Sequence, residues 1–165
     1  MNSSVLNKDQ ILSWLHEIPD PEIPVISIVE LGVIRDLTFN GNTLEVTITP
    51  TYSGCPAMKQ MEDDVRSKLL QNGFTEVNIK MVYQPAWTTD WLSEEAKLKL
   101  QKYGIAPPEE STGDKSFLTG KPKSVTCPHC KSKNTNLVSQ FGSTACKALY
   151  RCNDCLEAFD YFKCI

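Results

Sequence analysis

Four cysteines in two pairs constrain this chain more than any other feature. Cys127-Pro128-His129-Cys130 and Cys152-Asn153-Asp154-Cys155 are two C-x2-C turns with 21 residues between them. Each such turn aims two sulfurs at one cation, and two turns held together complete a tetrahedral shell. The runs 137–141, 148–151 and 158–162 are rich in apolar and aromatic residues and read as the short strands that would hold them. A segment of 42 residues, 124–165, is too small to stand on its own apolar core, so a metal staple is physically required. Ligation in such modules contributes on the order of 10–16 kcal/mol to folding. The expectation is one structural zinc per chain on Cys127, Cys130, Cys152 and Cys155. Iron in a rubredoxin-like site uses the same four sulfurs and stays open. With every ligand position filled by sulfur, no position is left for a substrate.

The cellular compartment decides how the cysteines are read, and the chain has seven of them. Met1 to Asn7 shows neither a basic n-region nor an apolar h-region, so no signal peptide is expected. The longest apolar stretch, 23–34, is interrupted by Ser27, Glu30 and Gly32 and is far too short for a bilayer. A cytoplasmic protein without membrane contact follows, and reducing conditions favour metal or thiol chemistry over disulfides.

Residues 1–105 alternate helical and extended patterns. Asn7 and Gln10 suggest an N-cap and capping box, before Ile11, Leu12, Leu15 and Ile18 at helical spacing. Residues 33–39 and 44–49 read as strands, joined by the turn signal Asn40-Gly41-Asn42. Met58, Met61, Val65 and Leu69 mark a helix over 57–72 that Gly73 ends, and Val77, Ile79, Met81 and Tyr83 alternate as a third strand. A last helix from about Ser93 carries Glu94 and Glu95 in its first turn and stops before Gly104. The fold class is therefore α/β (α+β): a small two-layer domain, order α-β-β-α-β-α, followed by a zinc ribbon. Residues 106–123, with Pro107-Pro108, Gly113, Gly120 and Pro122, read as a linker. Charge changes sign along the chain: residues 1–120 hold 10 Lys and Arg against 17 Asp and Glu, residues 121–165 hold 7 against 3.

Three thiols lie outside the paired turns. Cys55, in Ser53-Gly54-Cys55-Pro56, precedes a proline suited to the first helical position, which places Cys55 at the N-cap. There the helix dipole would favour a thiolate, and Gly54 would let another group approach; a cysteine facing the core fits the same residues. Cys146, beside Lys147, reads either as a small buried hydrophobe or as a reactive thiol or transient cluster ligand, and Cys164 as a buried hydrophobe. His16 lies on the first helix and His129 inside a C-x2-C turn, and neither has a catalytic partner in the sequence. There is no pair of Glu-x-x-His motifs for a di-iron site and no Gly-rich dinucleotide fingerprint.

The run from Asp20-Pro21-Glu22-Ile23-Pro24 through Glu30-Leu31-Gly32-Val33-Ile34, then Thr51, Gly54-Cys55-Pro56 and Trp87-Thr88-Thr89-Asp90-Trp91, resembles the SufT-like (MIP-type) domain of iron–sulfur assembly factors over residues 8–105. The whole chain, with Phe141-Gly142-Ser143-Thr144 and Cys146 to Cys152 in its ribbon, resembles the PaaD family of bacterial phenylacetyl-CoA epoxidase systems. The resemblance implies an accessory protein, not an enzyme, which helps a di-iron oxygenase subunit or an iron–sulfur reductase acquire or repair its metal centre during phenylacetate catabolism. It also implies that Cys55 sits in a surface pocket with Asp20, Glu22 and Glu30 and handles iron or a transient iron–sulfur cluster. The implied partners are the oxygenase subunits, the reductase, or both; a homodimer is a separate expectation for the chain itself.

Three alternatives compete. The chain could be a structural, non-catalytic component of the oxygenase complex. It could be a nucleic-acid-binding ribbon using Lys121, Lys123, Lys131 and Lys133, although a four-cysteine zinc site carries −2 and the acidic N-terminal part opposes a polyanion. A thiol enzyme built on Cys55 lacks any base that the sequence can name.

Overall fold

The computed structural model describes residues 7–41, 43–109 and 123–163. Contacts divide the chain into two compact units, Met1–Trp87 and Thr88–Ile165.

The first unit begins with helix α1 (Lys8–Leu15), capped by Asn7, whose side chain accepts from the Asp9 N–H. Ile11 and Leu15 are its buried stripe. Strands β1 (Ile34–Asn40) and β2 (Thr43–Ile48) form an antiparallel hairpin, and β3 (Glu76–Met81) pairs with β2 in parallel. Period-two alternation on β2 buries Leu44, Val46 and Ile48, while Thr43, Glu45 and Thr47 lie on the other face. Helix α2 (Ala57–Gln71) is the crossover a parallel pair needs. It buries Met58, Met61, Val65 and Leu69, and it packs against α1 and β3. Asn42 of the hairpin turn lies outside the described residues.

Between α1 and β1 the chain makes a tight loop. Ile28 N–H donates to Ile18 C=O and Asp20 N–H to Ile26 C=O, so the proline-rich stretch folds back on itself. Ser27 and Glu30 close it reciprocally: Glu30 Oε2 accepts from Ser27 N–H at 2.8 Å, and Ser27 Oγ accepts from Glu30 N–H at 3.1 Å. This is a capping box on a turn, and it accounts for a carboxylate that is 5% exposed. Trp87 Nε1–H donates to Leu31 C=O at 3.0 Å, which pins the end of this loop to the end of the unit.

The second unit contains a short 3-10 turn (Thr89–Trp91), helix α3 (Glu94–Tyr103), and strands β4 (Ile105–Ala106), β5 (Thr135–Ser139), β6 (Lys147–Cys152) and β7 (Ala158–Phe162). The sheet order is β4-β7-β6-β5. Its core joins Ala106, Val125, Ala148, Tyr150, Phe159 and Tyr161 to Cys127 and Cys152. Tyr150 stacks on Phe159 with centroids 6.0 Å apart and meets Tyr161 edge-on at 5.7 Å.

The expected order of elements is present, α+β followed by a ribbon, but the contact boundary differs from the sequence boundary at residue 105. Composition marked the change in polarity after the last helix, whereas contacts place α3 with the ribbon. Ser93 caps α3 by accepting from Ala96 N–H at 3.0 Å, and the helix ends on Gly104 at φ 94°. A Cβ at Gly104 would lie 3.4 Å from His129 Cε1, so the helix end rests on the first C-x2-C turn. One residue later β4 joins β7 as a parallel edge. Residues 110–122 of the expected linker lie outside the described residues.

Candidate functional site

The ribbon brings Cys127, Cys130, Cys152 and Cys155 together, with all four Sγ atoms within 4.8 Å of one another. Cys127 and Cys155 are 3.8 Å apart, and Cys130 and Cys152 are 3.5 Å apart. Four sulfurs about 2.3 Å from a central ion would be separated by about 3.8 Å, whereas a disulfide needs about 2.0 Å. The donor set and its spacing therefore fit a tetrahedral thiolate metal.

Both turns reach this arrangement by the same backbone device. The residue after each second cysteine is left-handed, Lys131 at φ 66° and Leu156 at φ 65°. That bend turns the following N–H toward sulfur, Ser132 toward Cys130 and Glu157 toward Cys155, while within the second turn the Asp154 and Cys155 N–H groups face Cys152. The Cys155 N–H, with that of Asp154 and despite burial, draws the Cys152 thiol down to about 7. Cys155 keeps the Glu157 N–H, yet burial and its neighbours Cys130 and Cys152 push it up to about 12. Four thiols at this separation do not all ionise without a cation, and a metal supplies the missing charge.

A polar web that the sequence reading did not single out ties the two turns together. Ser132 Oγ–H donates to Asp154 Oδ2, and Asn134 Nδ2–H donates to Asp154 Oδ1 at 2.8 Å. Asn153 Nδ2–H donates to Asn134 Oδ1 at 2.9 Å, and Asn136 Nδ2–H to Asn153 Oδ1 at 3.0 Å. The Ser132 and Asn134 bonds hold the Asp154 carboxyl below its ordinary value. The available signal was the concentration of Asn, Asp and Ser beside the cysteines, which suits turns and crosslinks equally.

The first unit places Cys55, Asp20 and Glu22 in one neighbourhood. Asp20 is 4% exposed, and its Oδ1 accepts from Glu22 N–H at 2.9 Å and from Ile23 N–H at 2.6 Å. Cys55 departs from the sequence expectation in two respects. Helix α2 starts at Ala57 with Pro56 in the cap position and no side-chain cap, so Cys55 stands one residue outside. Its thiol is 8% exposed, and its pKa is raised, not lowered. Burial is the main cause, and the Glu22 and Asp20 carboxylates add to it; the Ala57 N–H and the Tyr52 hydroxyl pull the other way without winning. Gly54 serves the left-handed turn at φ 83°, since a Cβ there would meet nothing within 4 Å. Glu30 is engaged in its capping box and lies 3.9 Å from His16 Nε2.

Cys146 lies at the end of β6 away from the four-cysteine group and is 3% exposed. Cys164 lies outside the described residues. His129 is exposed beside Gly104.

Two sequence profiles divide this architecture. Residues 8–81 match the iron–sulfur cluster assembly protein family, and residues 111–163 match the PaaD zinc β-ribbon domain. An Escherichia coli K12 protein, provisionally named as the D subunit of 1,2-phenylacetyl-CoA epoxidase, is 49% identical over 94% of this chain and 92% of its own length. The chain belongs to the PaaD family, in which an iron–sulfur assembly domain is followed by a zinc ribbon. A Porphyromonas gingivalis Fe-S protein maturation auxiliary factor is 36% identical over 61% of this chain and 97% of its own. A crystal structure of a DUF59 domain from Bacillus anthracis superposes with a TM-score of 0.53 at 31% identity, covering 56% of this chain and 90% of that one. Relatives named as maturation or auxiliary factors place the chain among accessory proteins of iron–sulfur assembly.

Proposed function

We propose that this protein is a maturation factor for the iron–sulfur or di-iron centres of a multicomponent phenylacetyl-CoA epoxidase, acting on its oxygenase subunits or reductase. The observation that carries the reading is the contrast between two sites. The four ribbon thiols converge within 4.8 Å, which suits a resident structural zinc. Cys55, by contrast, is a single buried thiol on which the Glu22 and Asp20 carboxylates act through charge. A soft thiol with two hard carboxylates acting on it suits iron or a cluster held as cargo and then released.

The cation would also invert the local electrostatics. Carboxylates that raise the Cys55 thiol in its absence become co-ligands or counter-charges in its presence, so cargo binding and thiol ionisation are coupled. The ribbon would dock on a partner while Cys55 addresses that partner's metal centre, each at a raised local concentration once the other is bound. No helix among the described residues is long and apolar enough to cross a membrane. A cytoplasmic site of action, with no nucleic-acid partner, completes the reading.

The test is the iron content of epoxidase purified from cells lacking this chain. Soluble subunits deficient in iron, restored by the wild-type chain but not by Cys55→Ala, are the expected result. Fully metallated, active epoxidase from those cells would end the maturation reading. A requirement for the chain in every turnover assay of matured enzyme would instead make it a structural component of the oxygenase.

A further inference from the structure

The end of the ribbon distal to the four cysteines holds a second set of reactive groups. In the β6–β7 ladder Lys147 opposes Phe162, so the next pair outward is Cys146 opposite Lys163, and Lys163 N–H donates to Cys146 C=O at 2.9 Å. Directly opposed residues project from the same face of the sheet with Cβ atoms about 5 Å apart. Lysines ordinarily extend their ammonium into water, but Lys163 is 8% exposed. Its Nζ donates to Gln140 C=O and lies 4.4 Å over the Phe141 ring. Burial pulls the Lys163 ammonium down, and the charge of Cys146 acts in the opposite direction. Thr144 Oγ1 is hydrogen-bonded to Cys146 Sγ at 3.1 Å.

This is the reverse of the Cys55 environment. There two carboxylates act on the thiol; here its polar neighbours are an ammonium and a hydroxyl. On the opposite sheet face Lys147 Nζ and Asp160 Oδ2 are 4.0 Å apart, and Ser143 Oγ–H donates to the same Asp160 oxygen at 3.2 Å. The 139–146 loop is thereby fastened to β7, with Thr144 and Ala145 half-buried and Phe141 60% exposed. At 3% exposure the Cys146 sulfur is nearly sealed, which favours a small co-substrate over a bulky one.

We propose that Cys146, with Lys163 and Thr144 as positioning residues, is an oxidation-sensing thiolate whose co-substrate is a small hydroperoxide. The sulfur attacks one peroxide oxygen, and the S–O bond forms as the O–O bond breaks. The departing hydroxide takes a proton from the Lys163 ammonium, which solvent replaces, and leaves as water. Sulfur loses two electrons, the peroxide gains them, and a low-molecular-weight thiol reverses the step through a mixed disulfide. Oxidation removes the thiolate partner of a buried ammonium, so the loop over it loses a reason to stay closed.

The test uses the full zinc-loaded chain, hydrogen peroxide at one to a few equivalents, and dimedone to trap sulfenic acid, with adducts located by peptide mass spectrometry. Cys146 should be labelled before Cys55 and before the four ribbon thiolates, while bulky maleimide reacts slowly at the same position. Lys163→Met and Thr144→Val should each lower the peroxide rate about tenfold, in step with the thiolate population, and move the half-maximal rate to higher pH. Lys163→Arg keeps the charge and should keep the rate. Zinc content reports on folding in every variant, and Thr144→Val and Lys163→Arg carry the test if Lys163→Met loses zinc. First labelling at Cys55, an unlabelled Cys146, or unchanged rates in zinc-replete Thr144→Val would overturn the proposal.

Discussion

At the scale of single residues, the ribbon retains two side chains where glycine would be easier. Lys131 and Leu156 hold left-handed backbone, which costs a non-glycine residue roughly 1–2 kcal/mol. Leu156 is also 63% exposed, so its side chain returns little of that cost by burial. Leu156→Gly should stabilise the metal-loaded ribbon by up to about 1 kcal/mol, read as a higher denaturant midpoint, whereas β-branched Leu156→Val should lower it by a similar amount. At Cys55 the signs are set by charge. Glu22→Gln removes a carboxylate that raises the thiol, so alkylation at pH 7 should accelerate a few-fold; Tyr52→Phe removes a hydrogen bond that lowers it and should slow the reaction. Measuring the rate of iodoacetamide modification against pH checks both, and equal rates in the two variants would show that neither group acts on the sulfur.

At the scale of elements, the decisive assignment is α3. Its sequence reads as the last helix of a regular α/β alternation, with Ser93 and Gly104 as stop signs, and those local signals are correct. They say nothing about which sheet the helix serves. That depends on β4, a strand of two residues whose partner on β7 lies more than fifty residues away. The folding unit of the ribbon should accordingly be 88–165. Zinc titration followed by circular dichroism or NMR dispersion should show cooperative folding of an 88–165 fragment, while 124–165, without Ala106 and the Gly104 contact, should bind zinc but remain poorly ordered. Gly104→Ala in the full chain should destabilise the second unit by roughly 1 kcal/mol or more, because both the φ and the His129 contact resist a Cβ.

At the scale of the whole molecule, the two units rest on different physics. The first has a continuous apolar core in which Ile11, Leu15, Leu44, Val46, Ile48, Val65 and Leu69 are fully buried. The second includes Cys127 and Cys152 as members of its core, so its packing and its metal site are one structure. Stripping metal with a strong chelator should therefore melt the second unit and leave the α1 and α2 helical signal intact, giving two separable transitions in place of one. Cys152→Ser should reproduce that outcome without chelator. Single-step loss of both units on chelation would show that the first depends on the ribbon.

Some of this protein is determined by sequence because the relevant interactions are local. The paired C-x2-C turns, the Asn7 and Ser93 caps, the period-two burial of β2 and the stripe of α2 are each specified within a few residues. The four-cysteine group was legible for the same reason. What the tertiary structure decided are the properties that depend on distant neighbours. The reactivity expected at Cys55 came from a helix end seen in isolation; the fold instead surrounds that sulfur with Asp20 and Glu22 from a loop more than thirty residues away, and burial reverses the sign. The Lys163 ammonium over Phe141 and opposite Cys146, and the attachment of α3 to the ribbon, arise from strand register and a short parallel edge. Electrostatics and packing act through space, and the sequence orders residues only along the chain.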